Sequence, residues 1–507
     1  MSKILLIHQP MRFYSRIAQK VIPHLPVCKR LFYQAIYKAN PRTLDYCLES
    51  VLEIRKNDHL EVIALASQGE ETRLAGMFKR FKTVRTSSDL LKEASRRVGD
   101  FDSVILLYPD AIGHGYDKIE SIVLGSAKQV YILNGRKRLF ELTGEMLKKL
   151  RIRRILEKCF ILEISFAVIF PFISAPFFLY EYLTRGLCEG IIRDKPGTRG
   201  DTGVSDEFSL QESNATTIER YWADNPQTYG KEDGKTIYND SKGVTINLDL
   251  GNKVFFNKVD ETFYSWNKPL HRGEGDSLLP FAKIFDYKTY AGKEVLEIGC
   301  GMGTMAMNWA RRGAHIWAVD LNTTSVHQTR NRFKIHGLPG TILQADARTL
   351  PFKDKSFDYI YSWGVLHHSP HMERSFREIH RVLNPGGKIG IMLYNRNSFL
   401  YWYLIKCIEG IVHIEDSFLS PVELSSRYGD GARAEGNPYT YPVTRREIIH
   451  HFMPQFQNVK IQIFGTDIDW MFSILCIPYH EVIPLFLKKS YARRFGWSMW
   501  IEAQRAS

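Results

Sequence analysis

The sequence predicts an α/β protein made of two Rossmann-like units in succession, and three observations carry that prediction. Lys293 to Asp320, KEVLEIGCGMGTMAMNWARRGAHIWAVD, reads as a buried strand, a glycine turn, a helix and a second strand ending in an acid. The same alternation of short apolar runs and helical stretches continues downstream to Leu393. A third, separate alternation occupies residues 1–150. At 507 residues the chain is long enough for two domains, and a hydrophobic fraction of 44% provides each with an ordinary core.

Taken in order, Lys3 to His8 is a compact apolar run suited to a first strand. Leu60 to Ala66, Ser103 to Tyr108 and Gln129 to Leu133 are similar. Ser88 to Arg97 and Asp117 to Leu124 read as helices between them, so residues 1–150 are expected to form a smaller Rossmann-like α/β domain. Asp110 to Gly115, DAIGHG, follows a strand where a loop for a nucleotide or sugar would lie, and an ordinary connecting turn fits the same residues.

Residues 151–200 have a different character. Ile164 to Tyr180, ISFAVIFPFISAPFFLY, is uncharged over 17 residues, at the lower edge of transmembrane length. Pro171 and Pro176 would kink or break a single helix through it. Arg151, Arg153, Arg154 and Lys158 flank one side, and Arg185, Arg193, Lys195 and Arg199 the other. One full crossing would place a basic flank on the outer face, against the positive-inside tendency. An apolar helical hairpin dipping into the inner face of a membrane avoids this, and a buried interdomain helix pair is the alternative. Asp194 to Ser213, rich in glycine, serine and charge, reads as a linker.

Residues 201–507 hold the glycine turn. Gly299, Gly301 and Gly303 let the backbone turn tightly against a ligand, and the helix from Thr304 to Arg312 aims its first N–H groups at the same spot. Asp320 closes the strand His315 to Val319, at the usual offset for an acid that accepts hydrogen bonds from a ribose. Gly301, Gly303 and Ala306 also satisfy the dinucleotide pattern, so NAD competes. Glu297 counts against it, because a carboxylate there would repel a pyrophosphate. It suits a cofactor with a cationic amino-acid part and a ribose, as S-adenosylmethionine has.

The downstream residues favour the same choice. Gln344-Ala345-Asp346-Ala347 follows a third apolar stretch, where an acid could take the adenine amino group. Ser356 to Tyr361 leads a fourth strand into Gly364-Val365-Leu366-His367-His368. A helix from Met372 to Leu383 ends at Asn384-Pro385-Gly386-Gly387, and a fifth strand follows from Lys388 to Leu393. EIGCGMG, VDL, QADA, GVLHH and NPGG in this order resemble the class I S-adenosylmethionine-dependent methyltransferases, especially those near the ubiquinone/menaquinone C-methyltransferases. The resemblance covers roughly Thr216 to Ser507.

That resemblance implies a seven-stranded Rossmann-like sheet, with Val459 to Phe464 and Gly496 to Ala503 as the last two strands, paired antiparallel. It implies that Glu297, Gly299, Gly301 and Gly303 hold the methionine part, Asp320 and Leu321 the ribose, and Asp346 and Ala347 the adenine, with Gly364 completing the cofactor set. His367 and His368 end the fourth strand on the edge facing the methyl group, as candidate catalytic bases or as residues that shape the site. Ile218 to Trp222 and Asn225 to Gly230 fall where this family covers the cofactor. Trp266, His271 and Arg272 precede the first core strand, and Tyr394 to Ser398 lies where acceptor contacts often fall. Ser417 to Pro442 reads as a turn-rich loop or lid. Trp470 to Leu487 is an apolar excursion, either membrane-facing or capping.

Composition narrows the partners. The net charge is +13, yet 68 basic against 55 acidic residues is a modest excess with no nucleic-acid motif beside it, so no nucleic acid is expected. Seven cysteines without a C-x-x-C pair argue against a disulfide framework or a metal site and favour a reducing compartment. The N-terminal apolar run is too short for a signal peptide. The expected protein is therefore a cytoplasmic methyltransferase, peripheral or monotopic at the inner face of a membrane, with a small-molecule or lipid-linked acceptor. A glycan or nucleotide-sugar acceptor, a non-catalytic scaffold and an NAD-dependent oxidoreductase are the competing readings.

Overall fold

The computed structural model describes residues 3–9, 60–66, 68–135, 138–158, 215–224, 231–232, 235–239, 245–273, 275–428, 436–464 and 484–507. The expected hairpin over Ile164 to Tyr180, the linker, Asn225 to Gly230 and most of Trp470 to Leu487 lie outside them. Among the described residues no helix is long and apolar enough to cross a membrane, and no group of three His, Cys, Asp or Glu could hold a metal ion. The chain divides into two compact units.

The first unit is a six-stranded sheet in the order β3-β2-β1-β4-β5-β6. Its strands are β1 (Ile4–His8), β2 (Leu60–Leu65), β3 (Phe81–Val84), β4 (Ser103–Leu107), β5 (Gln129–Leu133) and β6 (Leu139–Glu141). All pair in parallel except β6, which runs antiparallel to β5. Near-continuous apolar runs such as Leu5-Leu6-Ile7 form these strands because both faces of a parallel sheet are covered. Helices α1 (Gln68–Met77), α2 (Ser87–Arg97), α3 (Asp117–Ser126) and α4 (Gly144–Lys158) accompany them. β3 lies inside the basic run Lys79 to Arg85, which charge alone marks as solvated surface.

The Asp110 to Gly115 loop is shaped from within. The Asp110 carboxylate accepts the N–H groups of Ile112 and His114 at 2.8 and 3.1 Å and lies 2.9 Å from His114 Nδ1. From α4, Arg154 donates to Ile112 O at 2.8 Å and to Asp117 and Glu120. α4 has an unusual polarity: Arg153 and Arg154 are buried, while Ile152 and Ile155 are 58% and 57% exposed. A distant piece of chain, Lys406–Leu419, belongs to this unit as well. Ile414 enters its core, Phe418 stacks on Phe140 at 4.2 Å, and buried Glu415 faces buried Arg138 at 3.6 Å.

The second unit holds the expected seven-stranded sheet, in the order β12-β11-β10-β13-β14-β16-β15. A small antiparallel sheet of β7 (Lys231–Glu232), β8 (Lys235–Asn239) and β9 (Thr245–Leu248) precedes it. The main strands are β10 (Glu294–Ile298), β11 (His315–Asp320), β12 (Thr341–Gln344), β13 (Phe357–Trp363), β14 (Leu383–Tyr394), β15 (Phe456–Phe464) and β16 (Ser498–Arg505). Only β16 is antiparallel to its neighbours. Successive residues serve opposite faces, as the pleat requires. Leu296 and Ile298 join one apolar core with Phe376 and Ile501, and Val295 joins the other with Trp309 and Trp500. Fully burying each such side chain contributes about 1.5–3 kcal/mol.

The helices that matter for the site are α5 (Ala215–Asp224), α6 (Lys253–Trp266), α7 (Thr304–Ala310), α8 (Thr323–His336), α9 (Met372–Val382) and α10 (Pro421–Tyr428). Two details differ from expectation. The Asn384 to Gly387 stretch is already part of β14, with a register shift between Phe357 and Tyr359 where β13 and β14 begin. The turn-rich stretch from Ser417 contains α10, whose short helix the surrounding glycines obscure.

Candidate functional site

The carboxyl edge of β10 and β11 positions the cofactor residues. β10 ends at Ile298, and Gly299, Gly301 and Gly303 take φ of 80°, 51° and 73°, a region costly for any side-chain-bearing residue. A Cβ on Gly299 would lie 2.2 Å from Val365 Cγ2, so only glycine fits that approach. Asp320, at the end of β11, accepts Gly301 N–H at 2.9 Å and Asn322 N–H at 3.1 Å. The acid thus shapes the turn and faces it. Burial pushes the Asp320 carboxyl up to about 6, against the pull of these N–H groups.

Glu297 is 3% exposed, and its Oε2 has no hydrogen-bond partner among the described residues. It sits across the ladder from Ala318 and Tyr361. Burial pushes its carboxyl up to about 8; Asp320 adds to the rise, and Tyr361, the Ala306 N–H and Arg332 oppose it. Two adjacent carboxylates, one with an unfilled oxygen, beside a backbone cradle too tight for a Cβ, fit a ligand with an ammonium and a ribose.

Leu321 follows Asp320, and its carbonyl accepts Gln344 Nε2 at 2.9 Å. Asp346, beyond β12, accepts the N–H of Arg348 at 2.8 Å and its guanidinium at 2.7–3.0 Å. Burial raises its carboxyl, but these contacts outweigh it and leave it below the ordinary value. Ala347 is partly buried against the core beside it. Gly364, at φ 74°, ends β13 and turns the chain into Leu366–His368.

The two histidines differ. His367 is fully buried, neither ring nitrogen has a hydrogen-bond partner among the described residues, and its ring lies 3.8 Å from that of Tyr394. Burial holds it well below the usual imidazole range, with His368 adding to the effect, so it is neutral. His368 Nδ1 lies 2.9 Å from Tyr439 O and 3.1 Å from Thr440 Oγ1. A carbonyl oxygen can only accept, so Nδ1 carries the proton and Nε2 presents a lone pair. Trp222 of α5 lies 5.0 Å from the His368 ring, and Trp497 stacks on Tyr394 at 4.4 Å.

Of the other expected residues, His271 is structural: its Nδ1 accepts Phe281 N–H at 2.9 Å, and Nε2 lies 3.0 Å from Tyr264 O. Sequence reasoning missed the Tyr439–Thr440 strap over His368, which lies 71 positions downstream of it.

A glycine turn under two acids, at the carboxyl edge of a 3-2-1-4-5-7-6 sheet, defines the class I S-adenosylmethionine-dependent methyltransferase domain. Residues 296–391 match the methyltransferase domain family, and S-adenosylmethionine is the cofactor. A ubiquinone/menaquinone biosynthesis C-methyltransferase of Chromobacterium violaceum is 32% identical over 109 residues, 21% of this chain and 45% of that protein. A fatty-acid O-methyltransferase of Mycolicibacterium smegmatis is 42% identical over 98 residues, 19% of this chain and 35% of that protein. The chain thus spans less than half the length of either relative. A solved S-adenosylmethionine-dependent methyltransferase of Methanosarcina mazei is 18% identical with a TM-score of 0.30, covering 43% of this chain and 95% of that one.

Proposed function

We propose that this protein transfers a methyl group from S-adenosylmethionine to a lipid or lipid-linked acceptor. The observation that carries the reading is the buried Glu297 with its unfilled oxygen two positions before Gly299. A carboxylate in apolar surroundings is costly until a cation neutralises it, and the cofactor's ammonium does so. S-adenosylmethionine supplies a methyl group already activated on a positively charged sulfur, so this reading needs no metal. The chain's own work is binding, alignment and proton removal.

Glu297 and the turn at Gly299, Gly301 and Gly303 hold the amino-acid end. Asp320 and Leu321 take the ribose, Asp346 and Ala347 the adenine, and Gly364 leaves room at the edge of β13. His368 is the base we favour, because the Tyr439 carbonyl fixes its tautomer with the lone pair on Nε2. His367, tilted against the Tyr394 ring at 3.8 Å, packs beside it as a neutral, shape-giving side chain.

That one relative is a methyltransferase of ubiquinone/menaquinone biosynthesis and another a fatty-acid O-methyltransferase supports an apolar acceptor here. The outward face of α4 supports a place at the cytoplasmic face of a membrane, peripheral or monotopic. Ile152 and Ile155 stand exposed there, and Lys148, Lys149 and Arg151 are exposed beside them, a composition suited to an anionic bilayer surface. The test is calorimetric titration of S-adenosylmethionine with Asp320→Ala as control, followed by transfer of labelled methyl into membrane-lipid extracts. Micromolar binding lost in the variant, with label in an extractable lipid, is the expected result. No binding by folded protein sinks the enzyme reading, and no affinity for anionic vesicles sinks the membrane reading.

A further inference from the structure

We propose that Arg332 is a positioning residue for the cofactor: it locks the glycine turn against α6 and so fixes the cradle for the amino-acid end. This rests on the cofactor reading above. Arg332 lies on α8, outside every motif of the site, and its side chain is completely buried. One guanidinium nitrogen donates to Met302 O and to Thr304 Oγ1, both at 3.0 Å, on either side of Gly303. The other donates to Asp260 of α6. Thr304 Oγ1 donates to the same Asp260 at 2.9 Å, which closes a triangle of acid, hydroxyl and guanidinium behind the turn. The Phe256 ring of α6 lies under the guanidinium at 5.2 Å.

The rest of α8 acts in the same sense. Thr329 donates to Gly301 O at 2.9 Å, and Asn331 donates to Gly251 O just ahead of α6. With the carbonyls of Gly301 and Met302 both engaged on the α8 side, the trans peptide after Gly301 directs the Met302 N–H the opposite way. Thr329 and Arg332 together thus set which groups the turn offers a ligand, and Arg332 is not placed to touch it. Only Arg supplies this fork, since Lys would keep the charge and lose the paired geometry.

The guanidinium also bears on Glu297. The charged and titratable groups that share a field with Glu297 are Asp320 from β11, Tyr361 from β13, Tyr287, Cys300 and Arg332. Arg332 is the cation among them, and it favours the ionised carboxylate that the cofactor's ammonium needs.

The experiment measures S-adenosylmethionine affinity by calorimetry from pH 6 to 8.5 for wild type, Arg332→Gln, Arg332→Lys and Thr304→Val. Amide hydrogen exchange across residues 299–305 is followed without ligand. Arg332→Gln should weaken binding at least tenfold, move the pH midpoint of affinity upward and speed exchange in the turn. Arg332→Lys should keep the wild-type midpoint while still losing affinity, a split that a merely structural role would not produce. Thr304→Val removes a single hydroxyl of the triangle and should weaken binding severalfold; it decides the matter if Arg332→Gln does not fold. Wild-type affinity and midpoint in the folded variants would overturn the role of Arg332 alone. No binding by wild type would overturn the cofactor reading and this role with it.

Discussion

Replacing Glu297 by Gln tests the electrostatic design of the site. The variant keeps the shape of the side chain and removes its ionisation. In the ligand-free protein burial pushes the Glu297 carboxyl up to about 8, against an ordinary 4.5. At pH 6.5 only about 3% of molecules then carry the carboxylate, so a ligand that requires it binds about 30-fold more weakly than at full ionisation. Affinity should rise close to tenfold per pH unit up to about pH 7.5, beyond which the cofactor's own α-amino group begins to lose its proton. Calorimetry in buffers of different ionisation enthalpy should count about one proton released at pH 6.5. The Gln variant should bind weakly and without the rise in affinity up to pH 7.5, losing roughly 1.5–3 kcal/mol at pH 7.5 for the missing charged contact.

Stability supplies the second arm. A group whose folded value is raised adds stability that is complete below its unfolded value and is lost as pH climbs through the folded one. The ligand-free protein should therefore lose stability between about pH 4.5 and 8, by roughly 5 kcal/mol at 1.36 kcal/mol per pH unit. Glu297→Gln should remove that component of the slope. A wild-type affinity that is flat with pH, or a Gln variant that binds equally well at pH 7.5, would refute the reasoning.

Other outcomes follow from the same geometry. Gly299→Ala should cost more than about 1 kcal/mol from its positive φ alone, and Val365→Ala should relieve only the added clash, as paired thermal melts will show. His368→Ala should lower methyl transfer about 10²–10⁴-fold with cofactor binding intact, whereas His367→Ala should act mainly through packing; single-turnover transfer to an extracted acceptor separates them. Glu415→Ala should destabilise the first unit by about 3–5 kcal/mol, because it strips a buried carboxylate from buried Arg138, a loss readable by chemical denaturation.

Much of this was legible in the chain because local chemistry and tertiary placement agree. The apolar runs Lys3 to His8, Ser103 to Tyr108, the one ending at Ile298 and His315 to Val319 became parallel strands, and the antiparallel pairing of the last two strands followed the resemblance. Glycines at Gly299 and Gly303 announced positive φ. What stayed hidden depends on partners remote in sequence. Arg332 looks like an ordinary solvated helix cation until Asp260, 72 positions earlier, is folded against it. His367 and His368 are adjacent in sequence, and only the Tyr439 carbonyl tells them apart. β3 was concealed by the lysines and arginines around Phe81 and Val84, whose exposed positions suit an edge strand.

The contribution of Lys406–Leu419 to the first unit bears on how the chain matures during synthesis. Lys149 and Ser417, which meet at 3.3 Å in that unit, are 268 positions apart. At about 5–20 residues per second, roughly 15–50 s separate the appearance of one from the other on the ribosome. Through that interval the nascent N-terminal sheet lacks Ile414 and Phe418, and Arg138 lacks Glu415. The first unit therefore waits for a segment made long after its sheet, and holdase chaperones have an extended opportunity there.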